Sequence, residues 1–315
     1  MIGLIPLLLA TALPPASFPY HGATFNEFVK DSYRVAGRKD PEEFFRTMDE
    51  RGKATGIGTW AEWSATHKAN GSPEQAREAG AEVWKRIKKT ITKFSLDRGF
   101  EFVNVVTTNE RQCFLQSIIV AGELQAAGYN AGVAMVWSNP KGQTSNNGHA
   151  VAVVRTGAKD IVVDCSEPQP FEVHKGLFMQ LGSGYAYLEP QYDADQWITG
   201  YRVVGTGQTV EPSKLRCLDL PFLNSQFDYY RGERALGGVI AKDKTKAGLA
   251  ASERFYRKSL AECPANPLTR AMLVRTLVLE GRATEAEAQR QKALVEYAAY
   301  GWTPDEVKRP AVALR

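Results

Sequence analysis

Residues 113 to 127 read C-F-L-Q-S-I-I-V-A-G-E-L-Q-A-A. Turned at 100° per residue, their apolar side chains cover nearly the whole circumference of a helix. A helix apolar on every side has to be enclosed, so the rest of the chain must supply walls around it. Thr107-x-x-Glu110 fits a capping box ahead of the run, with Asn109-x-x-Gln112 as a second start. Gly128 supplies the stop. The spacing predicts a buried helix within 107–127 that carries Cys113 in its first or second turn.

The period then changes to two. Ala131 to Trp137 reads as a strand and Ser138 to Gly148 as a polar loop rich in turn formers. His149 to Arg155 and Asp160 to Cys165 read as a hairpin around Thr156-Gly157-Ala158-Lys159. Residues 24–100 read as mainly helical. Pro73-Glu74 opens a stripe through Trp84, Ile87, Ile91 and Phe94 at helical spacing, and Lys85, Arg86, Lys88 and Lys89 beside it read as a solvated face. Residues 166–230 are rich in Gly, Pro and Tyr, with short β-like pieces such as Tyr201–Val204 and no assigned order. About 245–300 returns to helix. The fold class is α+β, in three parts: a leader-like segment over 1–16, a core with N-terminal helices and a β-rich extension over 17–240, and a helical tail over 241–315.

Composition narrows the function. Lys and Arg exceed Asp and Glu by 39 to 35, too little to predict a nucleic-acid partner. Four cysteines with no C-x-x-C exclude a disulfide scaffold and a zinc finger. No His, Asp, Glu and Cys group has metal-ligand spacing, and no glycine-rich loop opens a helix after a strand, so neither metal nor cofactor is expected. Met1 to Leu13 has the length of a secretory leader and Ala10-Thr11-Ala12 the form of a cleavage site, although no Lys or Arg precedes the run. Read as a leader, it places the mature protein in the periplasm or outside the cell. Read as a buried segment, it leaves the chain cytoplasmic. No later run has the length of a membrane span.

Cys113 at a helix N-terminus gains thiolate stabilisation from the helix dipole. His149 follows 36 residues on and Asp164 another 15. If Arg155 lies opposite Asp160, His149 and Asp164 are diagonal neighbours on one face, with α-carbons about 7–8 Å apart. A loop one residue longer would separate them. Asp164 then fixes the imidazole so that its other nitrogen faces the sulfur, and His149 takes the thiol proton. His174 is a rival base that follows the acid in order. Cys165, Cys217 and Cys263 read as structural, with export allowing one undetermined pair to form a disulfide. Tyr185, Tyr187, Tyr192 and Trp197 read as core, with a substrate groove as the alternative.

These residues carry a family likeness. C-F-L-Q-S-I-I-V-A-G-E-L-Q-A-A-G-Y-N-A, then G-H-A-V-A-V-V, then I-V-V-D resembles the core of the transglutaminase-like, papain-like cysteine superfamily, over about residues 74–170. The resemblance implies a Cys-bearing helix packed on an antiparallel sheet, with Cys113 as nucleophile, His149 as base and Asp164 as orienter. It implies action on amide bonds through an acyl-enzyme, with a peptide or protein substrate, as a protease or amidase. Arg111 stands where the family often has Gly, and Cys165 where Pro often follows the Asp. The Cys113 backbone N–H is the one oxyanion donor named. Arg111-Gln112-Cys113-Phe114-Leu115 also resembles the nucleophile segment of arylamine N-acetyltransferases, without their Arg-Gly-Gly lead-in. Tyr256, Ser259, Leu260 and Pro264, then Gly281, Ala286, Ala293 and Leu294, resemble a tetratricopeptide hairpin. Such a tail is either an appendage on the core or a surface for a protein partner, and a non-catalytic scaffold is the reading from another functional class.

Overall fold

The computed structural model describes residues 16–311, so the leader-like segment lies outside the described residues apart from Ala16. Four helices come first: α1 (Ala23–Val35), α2 (Glu42–Ala54), α3 (Trp60–Thr66) and α4 (Pro73–Thr90). Strand β1 (Lys93–Phe94), helix α5 (Phe102–Thr108) and strand β2 (Glu110–Arg111) lead to α6 (Cys113–Ala126). Strands β3 (Asn130–Ser138), β4 (Thr144–Thr156), β5 (Lys159–Val163), β6 (Gly176–Leu181), β7 (Gly184–Tyr192), β8 (Ile198–Val203), β9 (Thr209–Val210) and β10 (Leu215–Arg216) follow. The chain ends in α7 (Leu220–Glu233), α8 (Lys246–Glu262), α9 (Pro267–Leu279), α10 (Ala283–Tyr300) and α11 (Asp305–Lys308).

The architecture is α+β, with an antiparallel sheet at its centre. Its strands run β6-β3-β4-β5-β8-β7, and β7 pairs back onto β6, which closes the ring into a six-stranded barrel. Side chains alternate between the two faces of a strand. Val151 and Val153 of β4 face a barrel interior shared with Val136, Val162, Leu177 and Tyr201. Ala150, Ala152 and Val154 face outward into the larger core under the helices. That larger core is continuous from Phe18 to Ala311 and includes the tail residues Tyr256, Leu273 and Tyr297.

Helix α6 packs on β3, β4 and α4, and every residue from Cys113 to Leu124 is buried. Its C-terminal stop is at Gly128, which takes φ +93. Its start differs from both expected capping boxes. The preceding helix ends at Thr108, Asn109 turns the chain at φ 58, and α6 begins at Cys113 with Gln112 as N-cap. Asn109 Oδ1 accepts from Arg51 at 2.9 Å and Glu110 accepts from Arg98 at 3.0 Å, so both polar groups serve tertiary bonds rather than caps.

Other expectations shift in the same way. Helix α4 stops at Thr90, and Phe94 lies exposed on β1. Arg86, expected on a solvated face, is fully buried against Glu123 at 3.3 Å. The expected loop 138–148 shortens, because β4 already begins at Thr144, opposite Ser138. His149 therefore sits inside a strand rather than opening one. The unassigned stretch 166–230 holds the strands that close the barrel, together with most of α7. Tyr185, Tyr187 and Trp197 are buried in the core. No helix among the described residues is long and apolar enough to cross a membrane.

Candidate functional site

The hairpin register decides whether His149 meets Asp164, and Arg155 pairs with Asp160, Val154 with Ile161 and Ala152 with Val163. This is the register that puts the two on one face. His149 Nε2 lies 2.7 Å from Asp164 Oδ2. Cys113 is near enough to the ring to add to the upward pull on it. The first turn of α6 is tied to β4 next to His149: the Ser117 hydroxyl donates to the Cys113 carbonyl at 2.7 Å and reaches the Ala150 carbonyl at 3.1 Å. Strand β4 and the residue after β5 thus bring imidazole and carboxylate together, and Ser117 holds the start of α6 beside them.

Asp164 is fully buried and densely held. Trp84 Nε1 donates to its backbone carbonyl at 3.1 Å, and its Oδ1 accepts from the Ser166 N–H at 2.8 Å. Ser166 is in turn bound by Gln116 of α6 at 2.6 Å, and Gln116 by Arg111 at 2.9 Å. Arg111, where the resembled family often has Gly, is thus a buried strut between β2 and α6.

Sequence order had made His174 a rival to His149. In space it is a second partner of the same acid: His174 Nε2 lies 2.9 Å from Asp164 Oδ2. An ionised carboxylate only accepts, so each ring donates to it. His174 is buried and its Nδ1 has no partner among the described residues. Burial alone would raise the Asp164 carboxyl, but the two histidines hold it well below the usual carboxylate range. Burial works against a charged His149, yet Asp164 and Cys113 outweigh it and leave the ring well above its ordinary value.

His149, Asp164 and His174 offer three ligand atoms within 4.8 Å of one another, a group able to hold a metal ion. Sequence spacing missed it, because 25 residues and a strand reversal separate the histidines. Here the carboxylate oxygen sits at hydrogen-bond distance from both rings.

All four cysteines are free and buried, so no disulfide forms. Cys217 points into the barrel interior while Cys165 and Cys263 belong to the outer core. Burial pushes the Cys165 thiol up and Cys217 up to about 12. Cys113, the first residue of α6, is 2% exposed.

Helix α7 packs on the start of α6, and sequence reasoning left it unplaced. Phe227 and Tyr230 lie against Phe114, the residue after Cys113, with centroids 5.0 and 5.8 Å away. The signal was present: Asp219 caps the helix, its side chain accepting from Phe222 N–H at 3.0 Å, and Pro221 lies in the first turn.

No protein-family model matches this chain, and no curated protein does. Among solved structures it is similar to one described as "Crystal structure of menin reveals the binding site for Mixed Lineage Leukemia (MLL) protein", at 12% identity and a TM-score of 0.41. The match covers 92% of this chain and 63% of that one, so the chain spans less than two thirds of its length. At that score the two share too little geometry for one to inform the other.

Proposed function

We propose that this chain is a thiol enzyme of the transglutaminase-like, papain-like cysteine superfamily, acting on amide bonds of a peptide or protein substrate through an acyl-enzyme. The carrying observation is the His149 ring, bonded to Asp164 at 2.7 Å and set on the strand that Ser117 ties to the first turn of α6, where Cys113 is near enough to raise it. His149 takes the thiol proton, and Cys113 Sγ attacks the carbonyl carbon. The C–N bond then breaks, and the leaving amine takes the proton back from His149. Water resolves the thioester, with His149 as base again, which makes the reaction a hydrolysis. An amine in place of water would make it a transamidation, and an acetyl donor would give the arylamine N-acetyltransferase-like alternative.

A non-catalytic scaffold that binds a partner through its helical tail is the second reading, favoured by the enclosure of Cys113 at 2% exposure. Alkylation separates the two. With iodoacetamide between pH 5 and 9, Cys113 should react well below the ordinary thiol value of about 8.5, and His149→Ala should remove that low-pH reactivity. Reaction no faster than a free thiol would leave the scaffold reading standing.

A further inference from the structure

One carboxylate oxygen stands between two imidazole nitrogens, and all three groups are held from behind. Asp164 Oδ1 is taken by the Ser166 N–H at 2.8 Å, which leaves Oδ2 to face His149 Nε2 at 2.7 Å and His174 Nε2 at 2.9 Å. His149 is fixed in β4, where it pairs with Val136 of β3. His174 is fixed through its backbone carbonyl, which accepts from the Tyr192 hydroxyl at 2.9 Å. The side chains of Asp164 and His174 are 0% and 1% exposed, whereas that of His149 is 24% exposed. Solvent therefore reaches the group from the His149 side.

Two imidazoles and a carboxylate suit zinc and its neighbours in the transition series, not magnesium or calcium, which take oxygen. The three ligand atoms lie within 4.8 Å of one another. Around a tetrahedral zinc with bonds of about 2.0–2.1 Å, ligand atoms stand about 3.3 Å apart, so each ring has to draw back from Oδ2 by about half an ångström. The proton on each Nε2 has to move as well. His174 Nδ1 has no partner among the described residues, so nothing fixes the tautomer of that ring, and Nδ1 can carry the proton when a cation takes Nε2.

We infer that His149, Asp164 and His174 form a binding site for a divalent transition cation, zinc foremost, and that its occupancy switches off Cys113. The place of the cation stands on the geometry above, and its effect on Cys113 rests on the thiol-enzyme reading. A neutral imidazole has one bare nitrogen. In the catalytic state Nε2–H of His149 donates to Asp164, and Nδ1 is bare to take the thiol proton. With a cation on Nε2 the ring proton sits on Nδ1, and no lone pair is left for the thiol. The same three side chains thus serve two exclusive states, with solvent supplying the fourth ligand of the cation from the exposed side of His149.

Zinc chloride on the metal-free full chain tests this, with Cys113→Ala removing the thiol as a rival ligand. The chain has four histidines. In Cys113→Ala, calorimetry should show one equivalent of zinc bound at micromolar affinity or tighter. Nitrogen-15 spectra should show Nε2 of His149 and His174 shifted, with His21 and His67 unmoved. Weaker binding, or shifts at any other set of rings, would overturn the site. His174→Gln keeps a donor for Asp164 but removes one ligand. Added to Cys113→Ala, it should weaken binding by at least the roughly 10–100-fold that loss of an outer partner costs, and a smaller loss would count against the site. If that variant fails to fold, the imidazole shifts decide without it. In the wild type, one equivalent of zinc should bring alkylation of Cys113 by iodoacetamide down to the rate of a free thiol, and a chelator should restore it. Alkylation unchanged by bound zinc would refute the switch. A metal-free Cys113 that alkylates no faster than a free thiol would instead sink the thiol-enzyme reading, while the imidazole shifts still decide the cation site.

Discussion

Two imidazoles donate to one carboxylate oxygen, at 2.7 and 2.9 Å, and this sharing sets the pH behaviour of the site. His149 is raised in the folded protein, so the stability it contributes is full below about 6.5 and lost as pH climbs through its raised value. Asp164 is depressed, so its contribution is present above about 3.9 and lost as pH falls toward its lowered value. Asp164→Asn removes both. Denaturation midpoints should show the variant less stable than wild type between about pH 5 and 6.5, by about 1.5–3 kcal/mol for a bond to a charged group. The gap should narrow as pH rises further. A gap independent of pH would show that the pair is not charged in the folded state.

At the scale of elements, α4 and α6 are joined by the fully buried pair Arg86 and Glu123. Burial pushes the Glu123 carboxyl up to about 7, against the pull of Arg86. Arg86→Leu leaves Glu123 without its cation, a change that costs roughly 3–5 kcal/mol when the remaining charge is stranded. A raised carboxyl escapes that cost by binding a proton. The loss of stability should therefore be large at pH 8 and much smaller at pH 5, as read by urea midpoints at the two values. The same two elements show what a sequence can and cannot reveal. Helix α6 was legible because apolar residues on every face leave a buried helix as the one consistent placement. The hairpin register was legible because Arg155 and Asp160 flank a short loop. The start of α6 was not, since Asn109 and Glu110 have the chemistry of caps and are taken by distant arginines instead. Arg86 was misread for a similar reason: its partner lies 37 residues away, on a helix whose position the local pattern does not reveal.

At the scale of the molecule, the barrel, the N-terminal helices and the tail share one core. Tyr297 of α10 packs on Tyr187 of β7, with centroids 6.5 Å apart, and its hydroxyl donates to Asn146 of β4 at 2.6 Å. Helix α7 lies between tail and site, with Phe227 on Phe114 at 5.0 Å. Unfolding should then be a single transition, with far-UV circular dichroism and tryptophan fluorescence coinciding. Separated transitions would show a tail that folds independently. Barrel closure was beyond the sequence because β6–β7 pairing depends on contacts between strands whose local text is short and interrupted by Gly and Pro.

A carboxylate anchored by two rings keeps one when the other leaves. Should His149 swing aside to hand a proton to a departing amine, Asp164 would not be stranded bare in a dry interior, because His174 remains on the same oxygen.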